Sequence, residues 1–403
     1  MKRRDFLKLS GTVCLLTPFS SCARPVIDLD PDIKITRIVG FALYSKRNKT
    51  AGKNAVKGVH GSSCRDLMIR IYTNAGVDGI GHCRTDANAA RQMVGRSLSE
   101  IYDARRNRMS GTLGAGTMAL WDVAGKIAGK PVFELLGGKG GEKVGVYDGS
   151  IYFADLLPQY MDDWRDRFRQ EIDMAMALGH RAFKVKIGRG HKWMPPEEGY
   201  ARDKHVLEVI REHAGPEVIV GVDSNNGYTL DKAKQLLLDM PDYEFAFMEE
   251  MFPETVEQCL EFKDFIKSHG FKTLVADGES GREVEFYEPF VNARAVDICQ
   301  ADMRQFGMDG IMAIAESCRD KGILIAPHNW GSLIGYYMQL QIGRAIGNFY
   351  RAEQDPVSTD VIVADGYTIE NGYATVPDMP GFGLEVDEDK FASKVHVRFD
   401  LKA

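Results

Sequence analysis

The chain has 403 residues, 44% hydrophobic and 27% charged, and its 51 basic against 57 acidic residues give a formal net charge of −6. That length suits a barrel-sized domain plus a smaller one, and the apolar content excludes a disordered chain. A mildly acidic chain without a long basic block argues against nucleic acid as a partner. Beyond the first two dozen residues, no apolar run reaches the roughly 18 residues needed to span a bilayer.

Residues 1–23 read as an export signal: a basic head, Met1 to Lys8, precedes a short apolar stretch from Leu9 to Phe19. Arg3-Arg4 followed by Phe6-Leu7-Lys8 resembles the bacterial twin-arginine signal, with an ordinary secretory signal as the alternative. Phe19-Ser20-Ser21-Cys22 partly resembles a lipoprotein cleavage box, which makes Cys22 a candidate for a lipid anchor; cleavage after Ala23 is the other outcome. On either route the expected location is the bacterial periplasm, free or lipid-anchored. Cys64, Cys83, Cys259, Cys299 and Cys318 show no metal-finger spacing and are expected as buried free thiols, a Cys64–Cys83 pair being the alternative considered.

Residues 33–43 alternate apolar and polar and predict a strand, as does Asp66 to Tyr72, with a turn at Gly76 to Gly79. The polar stretch Tyr44 to Ser63, carrying Lys46, Arg47, Lys49, Lys53 and Lys57, reads as a loop. Helical patterns cover 86–107 and 112–128, the second stopping at Gly129-Lys130-Pro131. Residues 30–143 thus read as an α+β opening domain. From 144 to 366 short apolar strands alternate strictly with amphipathic helices. The strands fall at Val144–Tyr147, Ala182–Ile187, Val218–Val222, Phe245–Met248, Thr273–Ala276, Ala295–Cys299, Gly322–Ala326 and Phe349–Ala352. Eight strands in such alternation predict an α/β fold closed into a parallel barrel. The segment 367–403 returns to turns and short strands and is expected to leave the barrel.

In a parallel barrel the chemistry sits at the C-terminal strand ends. The ionisable residues there are Lys184 and Lys186, Asp223, Glu249, Glu279, Asp302, His328 and Glu353. Lys184 and Lys186 share one face of their strand, opposite Phe183, Val185 and Ile187. A barrel turns its apolar strand face to the helices, so the lysines point inward, where they cost desolvation unless negative groups such as Asp223, Glu249 and Glu279 surround them, and where burial lowers a lysine's pKa towards that of a useful base. Asp223, Glu249 and Glu279 converge on the same mouth and would repel one another without a cation. Three hard oxygen ligands with open positions suit Mg²⁺. Asp302 on the adjacent strand can bond one ring nitrogen of His328, fixing its tautomer and raising its basicity.

These residues resemble the enolase superfamily, in its mandelate racemase-like branch. The likeness runs through Ala119-Leu-Trp-Asp-Val-Ala-Gly-Lys126, Leu135-Leu-Gly-Gly138, Lys184-Val-Lys186 and Asp223 with Asn225. It continues through Met248-Glu249-Glu250, Gly278-Glu279-Ser280, Asp302 with Gly307, His328, and the Pro377 to Gly383 tail. It implies a modified (β/α)₇β barrel capped by an α+β domain from both chain ends. It implies one Mg²⁺ per subunit on Asp223, Glu249 and Glu279. Lys186 would work on one face of the carbon α to a substrate carboxylate and His328, paired with Asp302, on the other; Lys184 and Glu353 would contact that carboxylate. Metal and lysine charge must be in place before so weak an acid gives up its proton. Asp302-Met-Arg304 stands where a muconate-cycloisomerase-like enzyme carries a lysine, and Gly79-Ile-Gly-His-Cys-Arg84 departs from the Gly-Trp-Gly-Glu common in the family. Asp277 is a second candidate acid beside Glu279.

The resemblance implies a dehydratase acting on an aldonate-type sugar acid to give a 2-keto-3-deoxy acid. The alternatives are a racemase or epimerase, a cycloisomerase of an anhydrosugar acid, and a non-catalytic periplasmic sugar-acid-binding lipoprotein. A homo-oligomer is expected. The basic segment Lys46–Lys57 is expected to be a solvated loop, with attraction of an anionic ligand as the alternative.

Overall fold

The computed structural model describes residues 27–403. The expected export signal, with Cys14 and Cys22, lies outside the described residues. The first sheet is an antiparallel meander of β1 (Ile35–Ala51), β2 (Gly61–Thr73) and β3 (Asp78–His82). β1 and β2 stay paired beyond the expected strands, through Lys46↔Ser63 and again at Ala51↔Gly61, so most of the expected 44–63 loop is a hairpin. Its period of two is hidden because two of the inward positions, Arg47 and Lys49, are cations. Arg47 pairs with Asp355 at 2.6 Å and Lys49 with Glu171 at 2.8 Å, all four side chains buried. These two charges are therefore neither solvated nor free to attract an anion.

The helix expected over 86–107 is also broken. Asp86 caps only the short α1 (Ala87–Arg91). Gly95 takes a left-handed φ of 88°, and the chain then turns through the small hairpin β4 (Tyr102–Asp103) and β5 (Arg108–Met109) at Asn107, φ 50°. Helix α2 (Met118–Ala128) packs on β3 and ends at left-handed Gly129; α3 (Val132–Leu135) follows.

Eight parallel strands come next: β6 (Lys143–Ile151), β7 (Ala182–Lys186), β8 (Ile219–Asp223), β9 (Phe247–Glu249), β10 (Leu274–Asp277), β11 (Ile298–Cys299), β12 (Leu324–Ile325) and β13 (Ala352–Gln354). Each pairs with its successor from β6 to β12. β13 pairs with β6, and a bridge from Ile325 to Phe349 closes the ring. Helices α4 (Trp164–Ala177), α5 (Pro196–Ala214), α6 (Leu230–Asp239), α7 (Val256–Ser268), α8 (Glu288–Ala293), α9 (Met303–Arg319) and α10 (Leu333–Ala345) fill the seven connections. The architecture is a (β/α)₇β barrel.

The tail does not leave the barrel at once. β14 (Val357–Ser358) joins β1, and β15 (Ile362–Val363) pairs with β18 (Glu385–Val386). The hairpin of β16 (Thr368–Glu370) and β17 (Tyr373–Thr375) adds antiparallel to the start of β6. After α11 (Glu388–Lys394), β19 (His396–Lys402) brings the tail to β1 a second time. Both ends of the described residues thus meet in the first sheet.

Below the polar strand ends the barrel is plugged by a small buried cluster of Tyr147, Ala182, Phe247, Ala276, Ile298 and Ala326. Gly221 makes room for it, since a Cβ there would lie 2.2 Å from the Phe247 ring. Gly221 is two residues below Asp223, and Phe247 two below Glu249. Gly221→Ala is expected to cost about 1–3 kcal/mol through overpacking, read as a lower midpoint in thermal unfolding. All five cysteines of the described residues are free thiols; Cys64 is half-buried and the other four are buried.

Candidate active site

Strand alternation carries Lys184 and Lys186 into the barrel, and every residue of β7 is buried. Lys184 Nζ lies 2.6 Å from Glu249, 2.8 Å from Glu353 and 3.3 Å from Asp223. Lys186 Nζ bonds Asp223 Oδ2. The expectation that burial lowers the lysine pKa fails for Lys184. Burial does act downwards, but Glu249, Glu353, Tyr147 and Asp223 outweigh it and raise the pKa well above the usual lysine value. Lys184 is a fixed cation.

One oxygen from each of Asp223, Glu249 and Glu279 lies within 4.8 Å of the others. Burial and the neighbouring Asp223 and Glu353 push the Glu249 carboxyl well up, so three charged carboxylates this close are disfavoured until a divalent cation joins them. Glu279 Oε2 is buried and has His328 Nε2 as its ion-pair neighbour. Close hard oxygens and their mutual repulsion together fit a small divalent cation such as Mg²⁺. Asp277 lies outside this group and accepts from the Gly278 N–H at 2.7 Å.

The triad touches an ionisable group at each side: Lys186 at Asp223, and His328 at Glu279, where Nε2 stands 3.1 Å from Oε2. His328 Nδ1 lies 2.8 Å from Asp302 Oδ2. Asp302 is also the N-cap of α9, its Oδ1 accepting from the Arg304 and Gln305 N–H groups at 2.9 and 2.8 Å. One carboxylate thus starts a helix and orients the imidazole. Glu353 is fully engaged, one oxygen on Lys184 and the other 2.7 Å from the Asn329 N–H.

Burial alone would lower the His328 pKa, but Glu279, the hydrogen bond to Asp302, and Glu353 raise it from 6.5 to about 10. A raised folded-state pKa means that the imidazolium's stabilisation is complete below about pH 6.5 and is lost as pH rises towards 10. In a chelator, the unfolding midpoint of the wild-type protein is therefore expected to fall between pH 7 and 10 more steeply than that of His328→Asn. Equal slopes would refute the charged pairing.

Residues 167–390 match the family model described as enolase C-terminal domain-like. The chain belongs to the enolase superfamily. A galacturonate dehydratase from Geobacillus sp., solved as a mutant with magnesium, is 30% identical, with a TM-score of 0.85 over 93% of this chain and 98% of that one. Solved with D-galacturonate and 5-keto-4-deoxy-D-galacturonate, the Geobacillus enzyme gives 0.83, again at 30% identity, over 93% and 100%. A D-galactonate dehydratase family member from Pseudarthrobacter chlorophenolicus is 26% identical over 380 residues, 81% of this chain and 91% of the relative. A D-galactarolactone cycloisomerase from Agrobacterium fabrum is 28% identical over 362 residues, 80% of this chain and 89% of the relative.

Within this superfamily chain, sequence reasoning overlooked three contributors to the site. Gln300 Nε2 donates to Glu249 Oε2 at 2.6 Å. It is the inward residue just past β11, passed over because it carries no charge. Glu250 accepts from Asn225 and Ser280, both at 3.2 Å, and burial beside Glu279 raises its pKa to about 8. Tyr152, just past β6, lies with its ring 5.2 Å from Lys186 Nζ. The signal that could have found Gln300 and Tyr152 is their place at strand ends rather than their residue type.

Proposed function

We propose that the protein is a magnesium-dependent sugar-acid dehydratase. The observation that carries the reading is one carboxylate triad touched by Lys186 at one side and by the His328–Asp302 pair at the other. In this reading Asp223, Glu249 and Glu279 hold one Mg²⁺ per subunit. When bound, the cation supplies positive charge to the substrate carboxylate and so acidifies the neighbouring C–H. Lys184 adds its fixed charge to that carboxylate, with Glu353 holding Lys184 in place. Lys186 takes the α-proton, and His328, held as an imidazolium in the neutral range, gives a proton to the departing β-hydroxyl. Water leaves, and the enol left behind rearranges to a keto-deoxy acid, so a sugar acid yields one keto-deoxy acid and one water.

The Geobacillus complex holds a uronate and a keto-deoxy acid, and the Pseudarthrobacter relative is named for an aldonate. Both acids present the same α-proton and β-hydroxyl, so the substrate is drawn from these two classes. Two bases around one carbon also serve cycloisomerisation or epimerisation, and the Agrobacterium relative favours cycloisomerisation as the second reading. The twin-arginine-like leader supports an exported, periplasmic enzyme, and the Cys22 context a lipid anchor.

The test is a panel of aldonates, uronates and aldarates incubated with purified protein and Mg²⁺, with keto-deoxy acid followed by its semicarbazone absorbance. Product from one or more members supports dehydration. An isomer with no keto-deoxy acid would move the assignment to the second reading. Tight binding without turnover would leave a binding protein.

A further inference from the structure

We infer that His60, on the hairpin that covers the barrel mouth, donates a hydrogen bond from Nε2 to a hydroxyl oxygen of the substrate away from its carboxylate. The inference rests on the sugar-acid reading above and names the residue that recognises the polyol part.

The segment joining β1 and β2 is pinned to the barrel. The Phe153 N–H donates to the Lys53 carbonyl at 2.9 Å, Trp193 Nε1 to the Asn54 carbonyl at 2.6 Å, and Lys192 Nζ to the Val56 carbonyl at 2.9 Å. His60 closes this segment against two aromatic rings. Its ring centroid is 4.7 Å from Tyr152 and 5.6 Å from Trp330, and those two rings stack at 4.4 Å. Tyr152 is the ring beside Lys186, and Trp330 follows His328 by two residues, so the cluster borders both proposed bases. Arg47 fixes the frame from behind: its guanidinium lies 4.6 Å from the Trp330 ring centre and donates to the Gly61 and Ser63 carbonyls at 3.2 and 2.9 Å.

Trp330 Nε1 donates to His60 Nδ1 at 3.0 Å. An indole nitrogen only donates, so Nδ1 carries no proton, and the proton of the neutral ring sits on Nε2. A second proton on Nδ1 would face the indole N–H. Burial, followed by the charges of Lys186, Lys57 and Arg47, lowers the ring's pKa to about 4, which keeps this tautomer through the neutral range. Nε2 is nevertheless buried with no hydrogen-bond partner. A donor held in one tautomer, bordering the bases and lacking an acceptor, calls for an acceptor that arrives with the ligand. In the sugar-acid reading the carboxylate would go to Lys184 and to the cation that the triad would hold. What remains is hydroxyl oxygen, and the Tyr152–Trp330 faces suit the carbon-bound hydrogens beside it.

The experiment compares wild type, His60→Leu, His60→Gln and Trp330→Phe on D-galacturonate, D-galactonate and the monodeoxy analogues of whichever is turned over. His60→Leu is expected to lower kcat/KM by about 10-fold or more, mainly through KM. His60→Gln, whose amide nitrogen takes the place of Nε2, is expected to restore most of it. The penalty should vanish on the analogue lacking the recognised hydroxyl. Nitrogen-15 NMR of the metal-free protein should show the Nε2–H tautomer at His60, and a mixture in Trp330→Phe. Four outcomes would overturn the inference: unchanged kinetics in His60→Leu, an equal loss on every deoxy analogue, no rescue by glutamine, or an Nδ1–H tautomer in wild type. Wild-type protein inert towards both acid classes would overturn the dehydratase reading and this one with it. An active wild type with an unaffected His60→Leu would overturn this one alone.

Discussion

Replacing Lys186 with alanine, or His328 with asparagine, is expected to lower sugar-acid turnover by about 10³-fold, within the range that positioned acid–base groups contribute. Neither change should unfold the barrel. Asp223 keeps Lys184 at 3.3 Å when Lys186 is gone, and Asp302 keeps the α9 N–H groups when the imidazole is gone. The two variants should differ in what survives. Whichever residue abstracts the α-proton, its loss abolishes exchange of that proton with solvent, whereas loss of the group that protonates the leaving hydroxyl permits exchange without product. Steady-state rates and proton exchange, measured side by side, assign the two roles. Full activity in both variants would remove these residues from the chemistry.

Replacing Asp223 with alanine is expected to do more than weaken metal binding. Among the described residues, Asp223 is the one carboxylate that contacts both Lys184 and Lys186. Without it, Lys186 loses the partner that holds its buried ammonium, and Lys184 keeps only Glu249 and Glu353. Removing one member of a buried ion-pair network costs about 3–5 kcal/mol, so the unfolding midpoint should drop in chelator as well as in Mg²⁺. Titration calorimetry should show Mg²⁺ binding to wild type and none to the variant. Because burial and its acidic neighbours hold the Glu249 carboxyl well up, Mg²⁺ binding to wild type should release protons, seen as a binding heat that changes with the buffer's ionisation enthalpy. A variant as stable as wild type, still binding Mg²⁺, would contradict this view of the cluster.

The barrel and the ionisable ring were legible in the sequence for one reason. Parallel strands buried on both sides are short apolar runs, and a charged residue ending such a run stands out. Lys186, Asp223, Glu249 and His328 could be picked in that way. The rest was hidden where residue type and environment disagree. Arg47 and Lys49 look solvated, yet each is buried on a carboxylate more than 100 residues away along the chain, Asp355 and Glu171, and no local pattern reveals such a partner. The 86–107 pattern is helical in its apolar spacing but is cut at Gly95 and folded back at Asn107. The sign of the Lys184 shift is hidden because desolvation acts at one residue, whereas the opposing carboxylates, Glu249, Glu353 and Asp223, come from three other strands. His60 had no neighbour in sequence to mark it; only the fold sets it against Trp330.

The central claim is that this site removes a proton α to a carboxylate. It is tested most directly by incubating the wild-type protein with Mg²⁺ and the sugar-acid panel in D₂O while following the α-hydrogen by NMR. For at least one acid, the α-hydrogen signal should disappear in step with the appearance of a keto-deoxy acid, and the Lys186→Ala/His328→Asn double variant should leave it unchanged. Binding of sugar acids with the α-hydrogen retained throughout, or loss of the signal at an equal rate in the double variant, would contradict it.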